Sequence, residues 1–232
     1  MLRAATRLGQ VKNQFSRHFS SASATMSQQS NEKGGNILNW VDPKDKSGEF
    51  KRQSSAFRNW ISKAPGAEFP PEKDRYHLYV SYACPWAHRV LIVRKLKGLE
   101  DCLPYTSVHW EMLEKGWRFA TPEEKDLPGA NTVPDPLHEG YTHLRHVYFE
   151  QDPDYSGRFT VPTLYDKKQK KIVSNESSEI IRMLYTEFDE LLPEKFAKLD
   201  LLPKELKGDI ESTNEWTYND INNGVYKSGF AT

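Results

Sequence analysis

Cys84 stands in Tyr82-Ala83-Cys84-Pro85-Trp86-Ala87-His88-Arg89, between a short run of strand formers, His77-Leu78-Tyr79-Val80, and the apolar residues Ala87, Val90, Leu91, Ile92 and Leu96 at helical spacing. Pro85 suits the first helical position, where a missing N–H costs nothing, and Gly98 is the stop signal. A thiol at such a helix start meets aligned backbone N–H groups and the positive end of the helix dipole, which favour the nucleophilic thiolate. Ala87 occupies the place where a dithiol motif would carry its second cysteine, so a mixed disulfide formed on Cys84 must be released by an external thiol. The other cysteine, Cys102, follows the helix in a loop and reads as a buried structural residue. Two further elements point to the same chemistry. Val161-Pro162 opens a strand-like run, and a cis bond there would turn the backbone of Val161 toward the thiol to pair with an extended peptide. Glu176-Ser177 precedes Ile180, Ile181, Leu184, Tyr185 and Phe188 at helical spacing, so the hydroxyl and helix N–H groups can take an α-carboxylate while the Glu holds an α-amino group.

These residues need a scaffold of strand, helix and strand, then strand, strand and helix. The first strand and helix flank Cys84, and Pro104 to Trp110 supplies a second strand. Residues 111–157 are mixed and turn-rich and read as an insertion. Thr160 to Tyr165 and Lys171-Ile172-Val173 then form a hairpin, with Lys167, Lys168, Lys170 and Lys171 around its solvated turn, ahead of the helix after Ser177. Residues 32–75 carry many breakers and read as an extended arm laid on the surface, with 76–190 as the sheet domain. A proline-bearing linker at 191–203 leads into 204–232, where Leu206, Ile210, Thr217 and Ile221 suggest a helix broken near Asn222-Asn223-Gly224.

Composition narrows the function classes. The 232 residues carry 32 Lys plus Arg against 32 Asp plus Glu, so no net charge argues for nucleic acid, and no apolar run reaches the roughly 18 residues of a membrane helix. Two cysteines suit a reducing compartment. His138, His143 and His146 beside Asp135 fit no closed zinc spacing, and no metal is expected. Residues 1–31 are another material: Arg3, Arg7, Lys12 and Arg17, many serines and no acid before Glu32. Leu2, Leu8, Val11 and Phe15 share one helical face there. This is the composition of a mitochondrial transit peptide or, failing that, of a disordered tail, and Met26 offers a second start for a cytosolic form.

The Cys-Pro-Trp-Ala-His-Arg segment, Gly116-Trp117-Arg118-Phe119, Arg158-Phe159-Thr160-Val161-Pro162, Asn175-Glu176-Ser177-Ser178 and Asn222-Asn223-Gly224-Val225-Tyr226-Lys227-Ser228-Gly229-Phe230-Ala231 together resemble the xi-class glutathione transferases, or glutathionyl-hydroquinone reductases. The resemblance implies an α/β thioredoxin-like N-terminal domain followed by the start of an all-α glutathione-transferase C-terminal domain. It implies Cys84 as the catalytic cysteine and Tyr226 as the tyrosine that handles the proton on the quinol. Trp117, the stretch Arg158, Phe159, Thr160 and Val161, and Glu176 with Ser177 become the glutathione-binding set. Glutathione is then the co-substrate, glutathionylated quinols are the partners, and no other cofactor is called for. Family chains continue past Gly-Phe-Ala through the rest of the helical domain, which supplies further quinone-site tyrosines and the homodimer contacts, so this sequence is expected to be C-terminally truncated. Two other functions fit the same residues: an omega-like thiol transferase or dehydroascorbate reductase, and a catalytically silent truncated binding protein.

Overall fold

The structure, a computed structural model, describes residues 54–230. The transit-peptide-like stretch 1–31 and the arm residues 32–53 lie outside the described residues. The sheet has the order β2-β1-β5-β6, with β1 (Tyr76–Val80), β2 (Tyr105–Ser107), β5 (Thr163–Asp166) and β6 (Lys171–Ser174). β1 runs parallel to β2 and antiparallel to β5, which pairs antiparallel with β6. A parallel pair needs a crossover, and α1 (Pro85–Leu96) supplies it. This is the thioredoxin-like arrangement, and β1, buried at every position, is its centre.

Residues directly opposite one another across paired strands share a face. Tyr79 with Thr163 and His77 with Tyr165 form one face. It meets α2 (Arg145–Gln151), where Tyr148 Oη bonds Thr163 Oγ1 at 3.1 Å and Tyr165 Oη donates to Glu150 at 2.8 Å. Tyr76 lies on the other face and meets the Phe188 ring, just beyond α3 (Ser177–Thr186), at 6.2 Å. α3 packs along α1, so both helix starts lie at one edge of the layer and can serve one site.

Inside 111–157 the structure has a small hairpin, β3 (Met112–Leu113) with β4 (Gly116–Trp117), and then α2. The turn-rich reading of this stretch misses α2 for a physical reason. Arg145 and His146 are buried along with Val147, Tyr148 and Phe149, so the helix shows no alternation of polar and apolar faces. The arm also does more than lie on the surface. Asn59 N donates to Val173 at 2.9 Å and Asn175 N to Phe57 at 3.1 Å, which extends the sheet along β6, and Ile61 and Phe69 are buried.

The linker is fastened to the end of α1. Buried Lys97 donates to the Leu199 carbonyl at 3.0 Å and pairs with Asp189 at 2.9 Å. Gly98 adopts φ +62°, and the Phe196 ring of α4 (Glu194–Ala197) fills the space a β-carbon would need. Beyond it, α5 (Lys207–Trp216) passes through a π-turn (Thr217–Asn222) into α6 (Asn223–Phe230). The break expected at Asn222-Asn223-Gly224 does not occur. The wider i→i+5 turn absorbs a residue without ending the helix, and Gly224 faces open space, where glycine costs a helix only about 1 kcal/mol.

Candidate functional site

Cys84 is the N-cap residue of α1 with Pro85 at its first turn, so the strand-to-helix junction read from the sequence is present. The Val161-Pro162 bond is cis, and the Cys84 thiol donates to the Val161 carbonyl at 3.4 Å. The thiol is half-buried, whereas Cys102 is only 5% exposed, and burial pushes the Cys102 thiol above its ordinary pKa. A thiol held mostly protonated away from solvent is a poor nucleophile.

The start of α3 lies against α1 through one arginine. Arg89 donates to Ser177 Oγ from Nε at 3.1 Å and from Nη2 at 2.6 Å, and it stands 3.9 Å from the Glu176 carboxylate. Glu176 caps α3: its carboxylate accepts from Ser178 N at 3.1 Å, from Ser178 Oγ at 2.9 Å and from Ser55 Oγ of the arm at 2.9 Å. The expected anion site thus combines a helix start, a serine and a cation. Sequence reading gave Arg89 no role. The signal available was a cation on the same helix as Cys84, within reach of the facing helix start.

The stretch 158–161 divides by depth. Phe159 is a core residue, with its ring 5.2 Å from Phe149 and 5.5 Å from Tyr148, so any contact it makes with a ligand runs through its backbone. Burial lowers the Arg158 pKa from its usual value. Thr160 is fixed by Tyr148, whose hydroxyl donates to the Thr160 carbonyl at 2.8 Å and accepts from its N–H at 3.2 Å. Asn175 Nδ2 reaches the same Tyr148 oxygen at 3.2 Å and Thr160 Oγ1 at 3.3 Å. Tyr148 and Asn175 therefore tie the strip beside the thiol to the residue before Glu176. Trp117 is half-buried in the β3–β4 hairpin, and its carbonyl accepts from Leu144 N at 2.9 Å.

Tyr226, on α6, comes to the Cys-Pro-Trp segment. Its hydroxyl oxygen accepts from Trp86 Nε1 at 3.1 Å. The Trp86 indole carries the Arg89 guanidinium over one ring at 4.8 Å, and the Tyr218 ring lies 6.0 Å away. The residues on the thiol side, the helix-start pair and the distant tyrosine therefore meet around Cys84-Pro85-Trp86 and Arg89.

The histidines noted in the sequence make a different structure. His138 Nδ1 bonds Asp135 at 2.7 Å, and Nε2 faces Tyr165 Oη at 3.1 Å and Glu150 at 3.3 Å. Burial opposes charge on His138, but the hydrogen bonds to Asp135 and Glu150 overcome it and raise the imidazole to about 9. Burial lowers His143 and His146 to about 4. Among the described residues no cluster of histidine, cysteine and carboxylate could hold a metal ion, and no helix is long and apolar enough to cross a membrane.

Residues 83–187 match the family of glutathione S-transferase N-terminal domains. The chain is 52% identical over 200 residues to the glutathionyl-hydroquinone reductase YqjG of Escherichia coli, covering 83% of this chain and 59% of that protein. Its structure is similar to the xi glutathione transferase of Phanerochaete chrysosporium, with a TM-score of 0.74 and 55% identity over 80% of this chain and 57% of that one. It also matches the glutathione-bound structure of Escherichia coli YqjG, with a TM-score of 0.67 and 48% identity over 76% of this chain and 56% of that one. The chain thus spans a little under three-fifths of the length of these relatives.

Proposed function

The chain belongs to the xi-class glutathione transferases, and on that premise we propose that it serves the glutathione-dependent reduction of glutathionyl-hydroquinones, with Cys84 as nucleophile and Tyr226 as proton donor. The observation that carries this reading is that one helix reaches both the thiol strip and the start of the facing helix, the two places that would hold the ends of a tripeptide. α1 presents Cys84 at its start, facing the Val161 carbonyl, and sends Arg89 to Ser177 at the start of α3. In this reading Ser177 takes the γ-glutamyl carboxylate through its hydroxyl and its own N–H, Glu176 takes the ammonium and the Val161 backbone the cysteinyl part, with Trp117 and residues 158–160 flanking it.

The Cys84 thiolate attacks the glutathione sulfur of the thioether. A sulfur–sulfur bond forms, the carbon–sulfur bond breaks, and its electron pair passes to the ring carbon, which takes the Tyr226 proton. A second glutathione thiolate attacks the mixed disulfide, giving oxidised glutathione and restoring the Cys84 thiolate. Purified full-length protein given a glutathionyl-hydroquinone and glutathione should release hydroquinone and oxidised glutathione in equal amounts. Reduction of simple mixed disulfides without any release of hydroquinone would favour the thiol-transferase alternative.

The acid-free, arginine-bearing start supports import into mitochondria with removal before about Glu32. Protein recovered from mitochondria should begin near that residue, and an intact Met1 there would exclude the leader.

A further inference from the structure

Trp86 lies between the two halves of the site. Its indole N–H donates to the Tyr226 oxygen at 3.1 Å, while its ring holds Arg89 at 4.8 Å, and Arg89 in turn bonds Ser177. An indole N–H can only donate, so the phenol oxygen must accept and its own hydrogen is directed elsewhere. A second observation supports the pairing. Tyr218 and Tyr226 are eight positions apart, and the π-turn that begins just before Tyr218 occupies the first part of the interval. Without that turn, eight residues overshoot two α-turns by a wide angle. The extra residue absorbed by the π-turn makes the interval behave like about seven, close to two full turns of 3.6 residues each. Both phenols then lie on one helix face, and Trp86 meets both, with the Tyr218 ring at 6.0 Å.

We propose that Trp86 is a positioning residue for Tyr226: it fixes the height and direction of the phenol over the glutathionylated ring, in register with the thiol carried on the same Cys-Pro-Trp segment. This rests on the reaction proposed above. When Tyr226 gives its proton to the ring carbon, the indole N–H remains as a donor to the phenolate oxygen, which then recovers a proton from water. The thioether sulfur and the ring carbon to be protonated are adjacent atoms, so one rigid segment aligns attack and protonation together.

Trp86→Phe keeps an aromatic ring for Arg89 and Tyr218 and removes the donor together with part of the indole's bulk, and the Tyr226→Phe background separates the two effects. In the full-length protein it should lower kcat on a glutathionyl-hydroquinone about 10-fold, the scale of one hydrogen bond realised at the reacting geometry, with KM within about twofold. Cys84 should still take up glutathione from oxidised glutathione, which reports a folded thiol site. In a Tyr226→Phe background the same substitution should cost nothing more, because no phenol oxygen remains to accept. In the Tyr226→Phe single variant, which keeps the indole, the Trp86 N–H proton resonance should move from its wild-type position. An equal loss of kcat in both backgrounds, a loss confined to KM, or an indole resonance that ignores Tyr226→Phe would overturn the positioning role while leaving the reaction standing. Wild-type protein that takes glutathione onto Cys84 but releases no hydroquinone would overturn the reaction, and the positioning role with it.

Discussion

The sheet layer and the helical segment Lys207–Phe230 bring residues to the same site by different physical means. In the layer, Cys84, Val161 and Ser177 hang from elements buried on several sides: β1 has no exposed position, and α1 and α3 bury Ala87, Val90, Ile180 and Leu184 against it. In the segment, α5 and the π-turn bury no side chain, and Trp216, Ile221 and Val225 are at least half exposed. Tyr226 is half-buried there, and its phenol oxygen accepts the bond from Trp86. Substitutions in the layer, the nucleophile Cys84 apart, should act mainly through stability and glutathione binding. Those on the segment should act on one chemical step and leave the fold alone.

The largest separation should come from Tyr226→Phe. Positioned acid–base catalysis is worth about 10²–10⁴-fold, so kcat for glutathionyl-hydroquinone reduction should fall by that order while exchange of simple mixed disulfides persists. Loss of both activities alike would make Tyr226 a structural residue. Stability should divide the other way. Phe188→Ala removes a buried ring against Tyr76 and should cost roughly 3–5 kcal/mol in denaturant unfolding. Val225→Ala, on an exposed helix face, should stay within about 0.5 kcal/mol. Equal costs would erase the contrast between the two regions.

The buried pairing of His138 with Asp135 and Glu150 gives the layer a pH signature. The folded imidazole lies near 9, above an unfolded value of about 6.5. The contribution, on the order of 3 kcal/mol, is therefore complete below about pH 6.5 and is lost as pH rises through about 9. Unfolding midpoints measured across that window should fall for the wild type and flatten for His138→Gln. A smaller effect is expected at the helix start, where Ser177→Ala should weaken glutathione binding by roughly 1–2 kcal/mol by calorimetry. Unchanged affinity would leave Ser177 a simple partner of Arg89.

The same contrast explains how much was legible in the sequence. The β1–Cys84–α1 unit, the β5–β6 hairpin and the α3 start were readable because each is a local pattern: strand formers, Pro85 at a first helical turn, a polar cap before Ile180 and Leu184. α2 was not, because Arg145 and His146 are buried and erase its periodicity. The continuous helix through Asn223-Gly224 was not, because a π-turn has no propensity signature. The roles of Arg89, Tyr148, Asn175 and Ser55 are pairings between residues far apart in the chain, which spacing alone does not encode.

The central claim is that Cys84, and not Cys102, carries the covalent step. The two thiols differ in setting: one sits half-buried at a helix start facing the Val161 carbonyl, the other in a loop, buried, with its pKa raised. After brief treatment of the folded full-length protein with oxidised glutathione, peptide mass mapping should place a single glutathione adduct on the peptide spanning Tyr82 to Arg89. Cys84→Ser should abolish both that adduct and turnover, because a serine hydroxyl at neutral pH is far less nucleophilic than a thiolate. An adduct on Cys102, or normal reduction of a glutathionyl-hydroquinone by Cys84→Ser, would contradict the account.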